Sequence, residues 1–426
     1  MLGGGWDGGK LDALLPFPPV TQQVPLVFAN PKQRCLSFGV SWKKGQASAL
    51  EQTAIRYPAP EPFIRASGYD GVAPNPKHLE KDATFWVASC SKLVTSIAIL
   101  QCVERGQIGL DDEVSRVLPE LAQTEIIDAA VPGAEEGKLF KLQPTKKSIT
   151  LRQLITHSSG IPYDMFDPVL LAWRASRGEQ PMGLSGQVLK AYATPLLFEP
   201  GEGWAYGGGV DWAGVMAGRL NGGITLEEYM QKNICEPLGM NSTTYRLADH
   251  PDIKARLAKM SIRKPDGTLQ QGDRPYPDPA AEDVGGAGLY TSVSDYVKLL
   301  GDLLKDDPVI LKRQTVDQMF TPQFADGSAA KTSLLQNSQL IGAMTGSEHF
   351  GEGLSFGLGG VLSLEDHGAM RRGSLAWGGM PNMVWFLNRD AGVAGIYATQ
   401  LLPPGDPAAS KLANQFIECI YASVRL

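Results

Sequence analysis

The chain has 426 residues, long enough for up to three domains of roughly 150 residues or for one enzyme built from two packed halves. Apolar residues make up 43% and charged residues 20%, which excludes a disordered or fibrous chain. The 39 basic side chains against 45 acidic ones leave a net charge of −6 with no long basic run, which argues against a nucleic-acid or anionic-membrane partner.

After a Gly-rich start, residues 35–42 alternate partly with period two before Lys43-Lys-Gly45 and read as a strand entering a turn. Pro58-Ala-Pro-Glu-Pro62 interrupts regular structure, and residues 63–67 form a second candidate strand that stops at Gly68-Tyr-Asp-Gly71. From Ser91 to Glu104 the texture changes: Leu93, Val94, Ile97, Leu100 and Val103 recur at helical spacing, and Gly106 is placed to end the helix. Residues 150–156, 186–193, 211–220 and 226–235 are further helical stretches, so the middle third is mainly α. Beyond Gly285-Gly-Ala-Gly-Leu-Tyr290 an amphipathic helix covers residues 294–304. Residues 356–363, 376–387 and 393–401 then read as strands, and residues 408–424 as a closing helix. Strands at both ends with helices between predict one sheet completed by the two termini, interrupted by a helical insertion.

The five cysteines, Cys35, Cys90, Cys102, Cys235 and Cys419, are odd in number and lack Cys-x-x-Cys spacing. Neither a disulfide framework nor a zinc site is expected, and a reducing, cytoplasmic location is. The N-terminus lacks a basic segment followed by an apolar one, and no apolar stretch reaches the ~18 residues of a membrane helix. His78, His250, His349 and His367 have no metal-ligand spacing, so no metal or cofactor is expected.

Two kinds of serine motif compete. Gly353-Leu-Ser355-Phe-Gly357 matches a Gly-x-Ser-x-Gly elbow, but a strand-like run follows it and His367 lies too close for the intervening elements of an α/β-hydrolase. Ser-x-x-Lys begins at Ser41, Ser89, Ser261 and Ser328. Ser41 falls in the first candidate strand, Lys264 precedes Pro265, and Ser328 follows Asp326-Gly327 in a polar loop. Only Ser89-Cys-Ser-Lys92 stands at the mouth of a long apolar helix. There the i, i+3 relation brings hydroxyl and amine to one face, where the amine can act as the base that a serine nucleophile requires. The helix N-terminus adds a partial positive charge that favours a developing oxyanion. An N-cap serine beside a solvated lysine is the plainer alternative for this motif alone.

Several stretches in fixed order resolve that choice: Phe85-Trp-Val-Ala-Ser-Cys-Ser-Lys92, Leu154-Ile-Thr-His-Ser-Ser-Gly160, Pro200-Gly-Glu-Gly-Trp-Ala-Tyr206, Glu236-Pro-Leu-Gly-Met240, Gly286-Ala-Gly-Leu-Tyr-Thr-Ser292 and Trp377-Gly-Gly379. Together they resemble the penicillin-binding-protein and class C β-lactamase-like serine hydrolases, and within them the branch of esterases and transesterases that includes the lovastatin-pathway acyltransferase. The resemblance runs from about residue 83 to residue 400; the first 80 residues match poorly.

The resemblance implies an α/β (α+β) fold of β-lactamase/transpeptidase type, an antiparallel sheet flanked by helices with a helical subdomain inserted. Residues 1–85 plus 285–426 would make the sheet domain and residues 86–284 the helical subdomain, with the active site at their interface. It also implies Ser89 as the acylated nucleophile, Lys92 as its proton partner and Tyr206 as the tyrosine that shuttles a proton between serine and leaving group. The backbone N–H groups of Ser89 and Met380 would form the oxyanion hole. Trp377, Gly378 and Gly379 stand where the family keeps its third, substrate-binding motif, and Tyr163, Phe166 and Trp173 are candidates for the substrate mouth, with a core role as their alternative.

Two departures bear on specificity. Tyr206 is followed by Gly207-Gly-Gly209 where Tyr-x-Asn is common, so an orienting amide is missing, and Trp377 replaces a lysine that would greet a carboxylate. Poor β-lactam turnover and a preference for neutral esters or thioesters are therefore expected. His157 is expected to be structural, and Cys90 a small buried apolar residue. The expected function is a serine acyl-enzyme transesterase or esterase of secondary metabolism. Its partners would be a small-molecule acyl donor, an alcohol acceptor and an acyl-carrier protein as a further donor, without nucleic acid or membrane. A plain carboxylesterase, a β-lactamase or D-alanyl peptidase, and a non-catalytic binding protein are the alternatives.

Overall fold

The computed structural model describes residues 50–56, 62–72, 76–128, 140–347 and 351–424. The candidate strand at 35–42, Ser41, Cys35, most of the 58–62 proline segment and His349 lie outside them. A seven-stranded antiparallel sheet is built from β1 (Leu50–Arg56), β2 (Phe63–Ser67), β3 (Leu354–Phe356), β4 (Val361–Ser363), β5 (Ser374–Gly379), β6 (Met383–Asn388) and β7 (Val393–Thr399). The strand order is β2-β1-β7-β6-β5-β4-β3, so the early strand β1 inserts beside β7, pairing Leu50 with Thr399 and Arg56 with Val393.

Both faces of the sheet are covered. Alternate residues of β6 go to opposite sides: Val384 and Phe386 pack with Phe416, Ile417 and Ile420 of α4 (Pro407–Val424), whereas Trp385 and Leu387 join the main core. That core also takes in α1 (Ser91–Glu104), α2 (Gly209–Leu220) and α3 (Val293–Leu304). Because β5 and β6 are buried on both faces, their sequences are continuous apolar runs. This explains why residues 376–387 read as one strand when they are two, joined at Met380-Pro381-Asn382 with Asn382 at φ 59°. The run 356–363 is likewise a hairpin of β3 and β4.

Helix α1 lies in the interior, with buried residues all around it, including Thr95, Ser96 and Gln101. It ends at Gly106, whose φ of 69° admits the left-handed conformation that closes a helix. The helix Leu151–Ile155 begins with a capping box in which Thr150 and Gln153 exchange hydrogen bonds. Helices Pro168–Ser176, Arg313–Met319, Ala329–Gln336 and Ser338–Thr345 and strand β1 were not anticipated from the sequence. No helix among the described residues is long and apolar enough to cross a membrane.

Candidate active site

Ser89 sits in a tight turn between strand Thr84–Trp86 and α1, within a 3-10 segment, Ala88–Cys90. Ala88 has φ 44°, uncommon for a residue with a Cβ, and surrounding bonds hold the turn. Val87 N–H donates to Leu289 O at 3.0 Å, the Ser91 hydroxyl to Ala88 O at 2.5 Å, and Trp86 Nε1 to Ala287 O at 2.7 Å. Residues 287–289, part of the motif ending at Ser292, are thus the wall against which the Ser89 turn is pinned.

The structure brings Ser89, Lys92 and Tyr206 together. The Tyr206 hydroxyl donates to Ser89 Oγ at 2.6 Å, and Lys92 Nζ lies 3.3 Å from the same oxygen. Lys92 is 2% exposed and also donates to Tyr163 OH at 2.9 Å and to Gly286 O at 2.8 Å. Its ammonium stands 4.7 Å from the Tyr206 ring centre and 5.0 Å from that of Tyr163, positions that favour a cation over a ring face. Asp211, fully buried near the start of α2, accepts from Tyr163 OH at 3.0 Å and from Gly286 N–H at 2.7 Å. Burial pushes its carboxyl up, opposed by the charge of Lys92 and by those bonds. Tyr163 is held far above the ordinary phenol range by burial and by Asp211, so it is a neutral hydroxyl. Asp211 did not figure among the sequence candidates. The available signal was an acid in the first turn of the otherwise apolar Gly-Val-Asp-Trp-Ala-Gly-Val stretch.

The three glycines after Tyr206 are packed to the backbone. A Cβ on Gly207 would run into Ile161 O, one on Gly208 into the Tyr192 ring, and one on Gly209 into Leu154 O. The place of a side chain at Gly208 is therefore filled by Tyr192, itself fixed by its hydroxyl donating to Gly183 O at 2.9 Å.

Ser89 opens onto a cavity of about 240 Å³ lined by Tyr163, Met165, Phe166, Leu184, Ala343, Met344 and Met380 among others, nearly all apolar. Asp164, 1% exposed, ties its walls together. It pairs with Arg174 at 3.0 Å and accepts from the N–H groups of Met182 and Gly183, next to Leu184. Of the residues singled out in the sequence, Tyr163 and Phe166 line this cavity, and Met380 lines it just past the end of β5. Trp377, Gly378, Gly379 and Trp173 do not. Trp377 points into the core behind Tyr206, 1% exposed, and its Nε1 donates to Tyr206 OH at 3.3 Å. Gly378 is packed on Met344 O and Gly379 on Val87 O, which brings the end of β5 against the Ser89 turn. Trp173 instead carries the Arg174 and Arg177 guanidiniums over its ring, at 5.4 and 4.9 Å. The helix Ser338–Thr345, which supplies Ala343 and Met344, had no counterpart in the sequence reading.

The rival serines lie elsewhere. Ser355 is buried in β3 opposite Leu362, Ser261 is in a strand, and Ser328 caps the helix Ala329–Gln336 by accepting from Lys331 N–H. His157 is 2% exposed, packs edge-on against Tyr206 at 4.9 Å and accepts from Gly207 N–H at 3.4 Å. Burial and the nearby Lys92 charge hold it well below the ordinary histidine range. Burial raises the Cys90 thiol, which leaves it protonated. Among the described residues no cluster of three or more His, Cys, Asp or Glu is placed to hold a metal ion.

Comparison with known proteins gives a consistent picture. The Beta-lactamase family matches residues 61–418. The chain is 40% identical to acyltransferase calJ of Penicillium decumbens over 86% of this chain and 87% of that one. It is 36% identical to lovastatin esterase of Penicillium rubens over 76% and 81% of the two chains. Among solved structures, unliganded simvastatin synthase (LovD) of Aspergillus terreus superposes with a TM-score of 0.79 at 33% identity, covering 89% of this chain and 94% of that one.

Proposed function

The chain belongs to the beta-lactamase family, and from that premise we propose that it acts through an ester formed on Ser89. It is an acyl-transferring enzyme of the serine hydrolase and acyltransferase type, serving secondary metabolism, and its substrates are esters or other acyl compounds. The observation that carries the proposed site is the meeting at Ser89 Oγ of Tyr206, at 2.6 Å, and Lys92, at 3.3 Å, on the wall of an apolar cavity.

In the first half-reaction Ser89 Oγ attacks the acyl carbonyl as the Lys92–Tyr206 pair takes its proton, and the carbonyl π electrons move onto oxygen. The backbone N–H groups of Ser89 and Met380 receive that oxyanion. Collapse breaks the bond to the leaving alcohol or thiol, which takes its proton from Tyr206. The second half-reaction repeats these steps in reverse with a new hydroxyl: the pair takes the acceptor's proton, the acceptor oxygen bonds to the acyl carbon, and Ser89 Oγ leaves with the proton restored.

The cavity supports neutral, apolar acyl groups, since its lining among the described residues includes no Lys or Arg to anchor a substrate carboxylate. The donor is then an ester or thioester, including an acyl thioester on a carrier protein, and the enzyme works in the cytoplasm, where the buried thiols Cys90, Cys102 and Cys235 stay reduced. An acceptor alcohol held against the acyl carbonyl can reach an effective molarity of order 10⁵ M or more, far above that of bulk water. The test is a partition ratio. With an acyl thioester donor and rising amounts of a polycyclic alcohol, ester product should overtake free acid. Free acid alone at saturating acceptor, across a panel of such alcohols, would make the protein a plain carboxylesterase.

A further inference from the structure

We infer that Asp211 is a positioning residue that fixes the direction of the hydrogen bonds around Lys92, so that the single proton Lys92 can give up is the one facing Ser89. The inference rests on the proposed role of Ser89 and Lys92. It follows from a proton inventory. As an ammonium, Lys92 has three N–H donors and no acceptor, and it has three neighbours: Ser89 Oγ at 3.3 Å, Tyr163 OH at 2.9 Å and Gly286 O at 2.8 Å. The Gly286 carbonyl can only accept. Tyr163 has one hydrogen, and Asp211 holds it at 3.0 Å, so toward Lys92 the Tyr163 oxygen too can only accept. Two of the three N–H bonds are thereby committed. When Lys92 loses a proton, the lone pair must appear on the side of Ser89 and can accept the hydroxyl proton as Oγ attacks.

Asp211 is held in this task from two sides. Gly286 N–H donates to its other oxygen at 2.7 Å, and the same Gly286 offers its carbonyl to Lys92. The carboxylate therefore accepts twice and donates nothing, and the peptide of Gly286 and the phenol of Tyr163 form two parallel bridges from acid to amine. Asp211 does not line the substrate cavity and touches no reacting atom, so its effect passes through Lys92.

The replacement Asp211→Asn reverses this order. The Gly286 N–H has a fixed direction and claims the amide oxygen, which leaves the amide NH₂ to donate to Tyr163. The Tyr163 hydrogen must then turn to Lys92 and occupy the lone pair, and Lys92 presents N–H bonds to Ser89 and Gly286 alone. Asp211→Asn should lower kcat for a neutral ester about a hundredfold, the low end of the loss of a general base, with KM within about twofold. Adding Tyr163→Phe removes the hydrogen that blocks the lone pair. The double variant should therefore be at least tenfold more active than Asp211→Asn alone, and Asp211→Asn should cost little once Tyr163→Phe is already in place.

This rescue by a second loss is what a merely structural carboxylate would not show. Equal costs of Asp211→Asn in the wild-type and Tyr163→Phe backgrounds would overturn the inference. If the Asn variant does not accumulate folded, Asp211→Ala compared across the same two backgrounds gives the same reading: a larger loss with Tyr163 present supports it and equal losses overturn it. Labelling of Ser89 by a fluorophosphonate in the wild-type enzyme separates the two levels. Label on Ser89 with equal costs rejects the role of Asp211 and leaves the serine reading standing; no label on Ser89 rejects both.

Discussion

Tyr206→Phe isolates the proton that the proposed mechanism needs at the leaving group. The Tyr206 ring is 6% exposed and packs against His157 at 4.9 Å, Tyr163 at 5.2 Å and Trp377 at 5.2 Å, contacts that phenylalanine keeps. Removing the oxygen deletes the 2.6 Å bond to Ser89 Oγ and leaves the Trp377 indole N–H without its 3.3 Å acceptor. The second loss is the cost to the fold, about 1 kcal/mol for a long bond to a buried donor. The first falls on catalysis. A general acid contributes about 10²–10⁴ in rate, or about 3–5 kcal/mol at 1.36 kcal/mol per tenfold. Activity should therefore collapse in a protein that melts nearly as the parent does. The assay is stopped-flow release of alcohol from two esters of one acyl group, one with a strongly acidic leaving phenol and one with a simple alkanol. The phenol leaves without needing a proton, so the variant should lose far less on it than on the alkanol ester. Combined with Lys92→Ala, the total loss should fall well short of the product of the two. Equal losses on both esters, or a loss below tenfold on the alkanol ester, would refute the assignment of Tyr206 as the proton donor.

Trp377→Lys, which would restore the family's cation at that position, should not create a carboxylate site. The ammonium would be buried behind Tyr206 among Phe356 and the sheet, and the fold should lose about 4 kcal/mol or more in denaturant unfolding; a stable variant with new preference for acidic esters would contradict that placement. His157 predicts an acid-side weakness. Its folded form resists protonation to well below the ordinary histidine value of about 6.5, so the unfolded chain binds the proton first and stability falls as pH drops below about 6.5, by up to about 1.4 kcal/mol per pH unit. His157→Gln should flatten that slope in a series of melting curves, and an unchanged slope would place the titration elsewhere.

The parts of the fold that the sequence declares are those where one local rule decides. The α1 pattern and its stop at Gly106 each follow from residues within a few positions of one another, and the structure has them at the expected residues; the helical stretch expected from residue 150 is a helix whose first turn is closed by the Thr150 capping box. What stayed hidden depends on distant partners. Strand β1 carries Glu51, Gln52 and Arg56 and is a strand because it pairs with β7, some 340 residues later in the chain. The helices at 329–345 meet at Asn337, which interrupts any single period, and Met344 lines the cavity only because the chain returns to β5. The same contrast holds in the site. Ser89 and Lys92 are neighbours in one motif and Tyr206 has its own, so motif order alone singles out three residues that the structure places together. Asp211 meets Lys92 only through Tyr163 and Gly286, and no spacing announces it. Trp377 lies in the core rather than at the cavity for the related reason that motif position gives the strand but not the face of the sheet on which the first residue of the tripeptide lies.

The most direct test is mass spectrometry of the intact protein and its peptides after brief exposure to an acyl thioester. One acyl group should appear per chain, on the peptide containing Ser89. It should vanish in Ser89→Ala and persist in Ser355→Ala. An acyl group that stays in Ser89→Ala and disappears in Ser355→Ala would contradict the account at its centre.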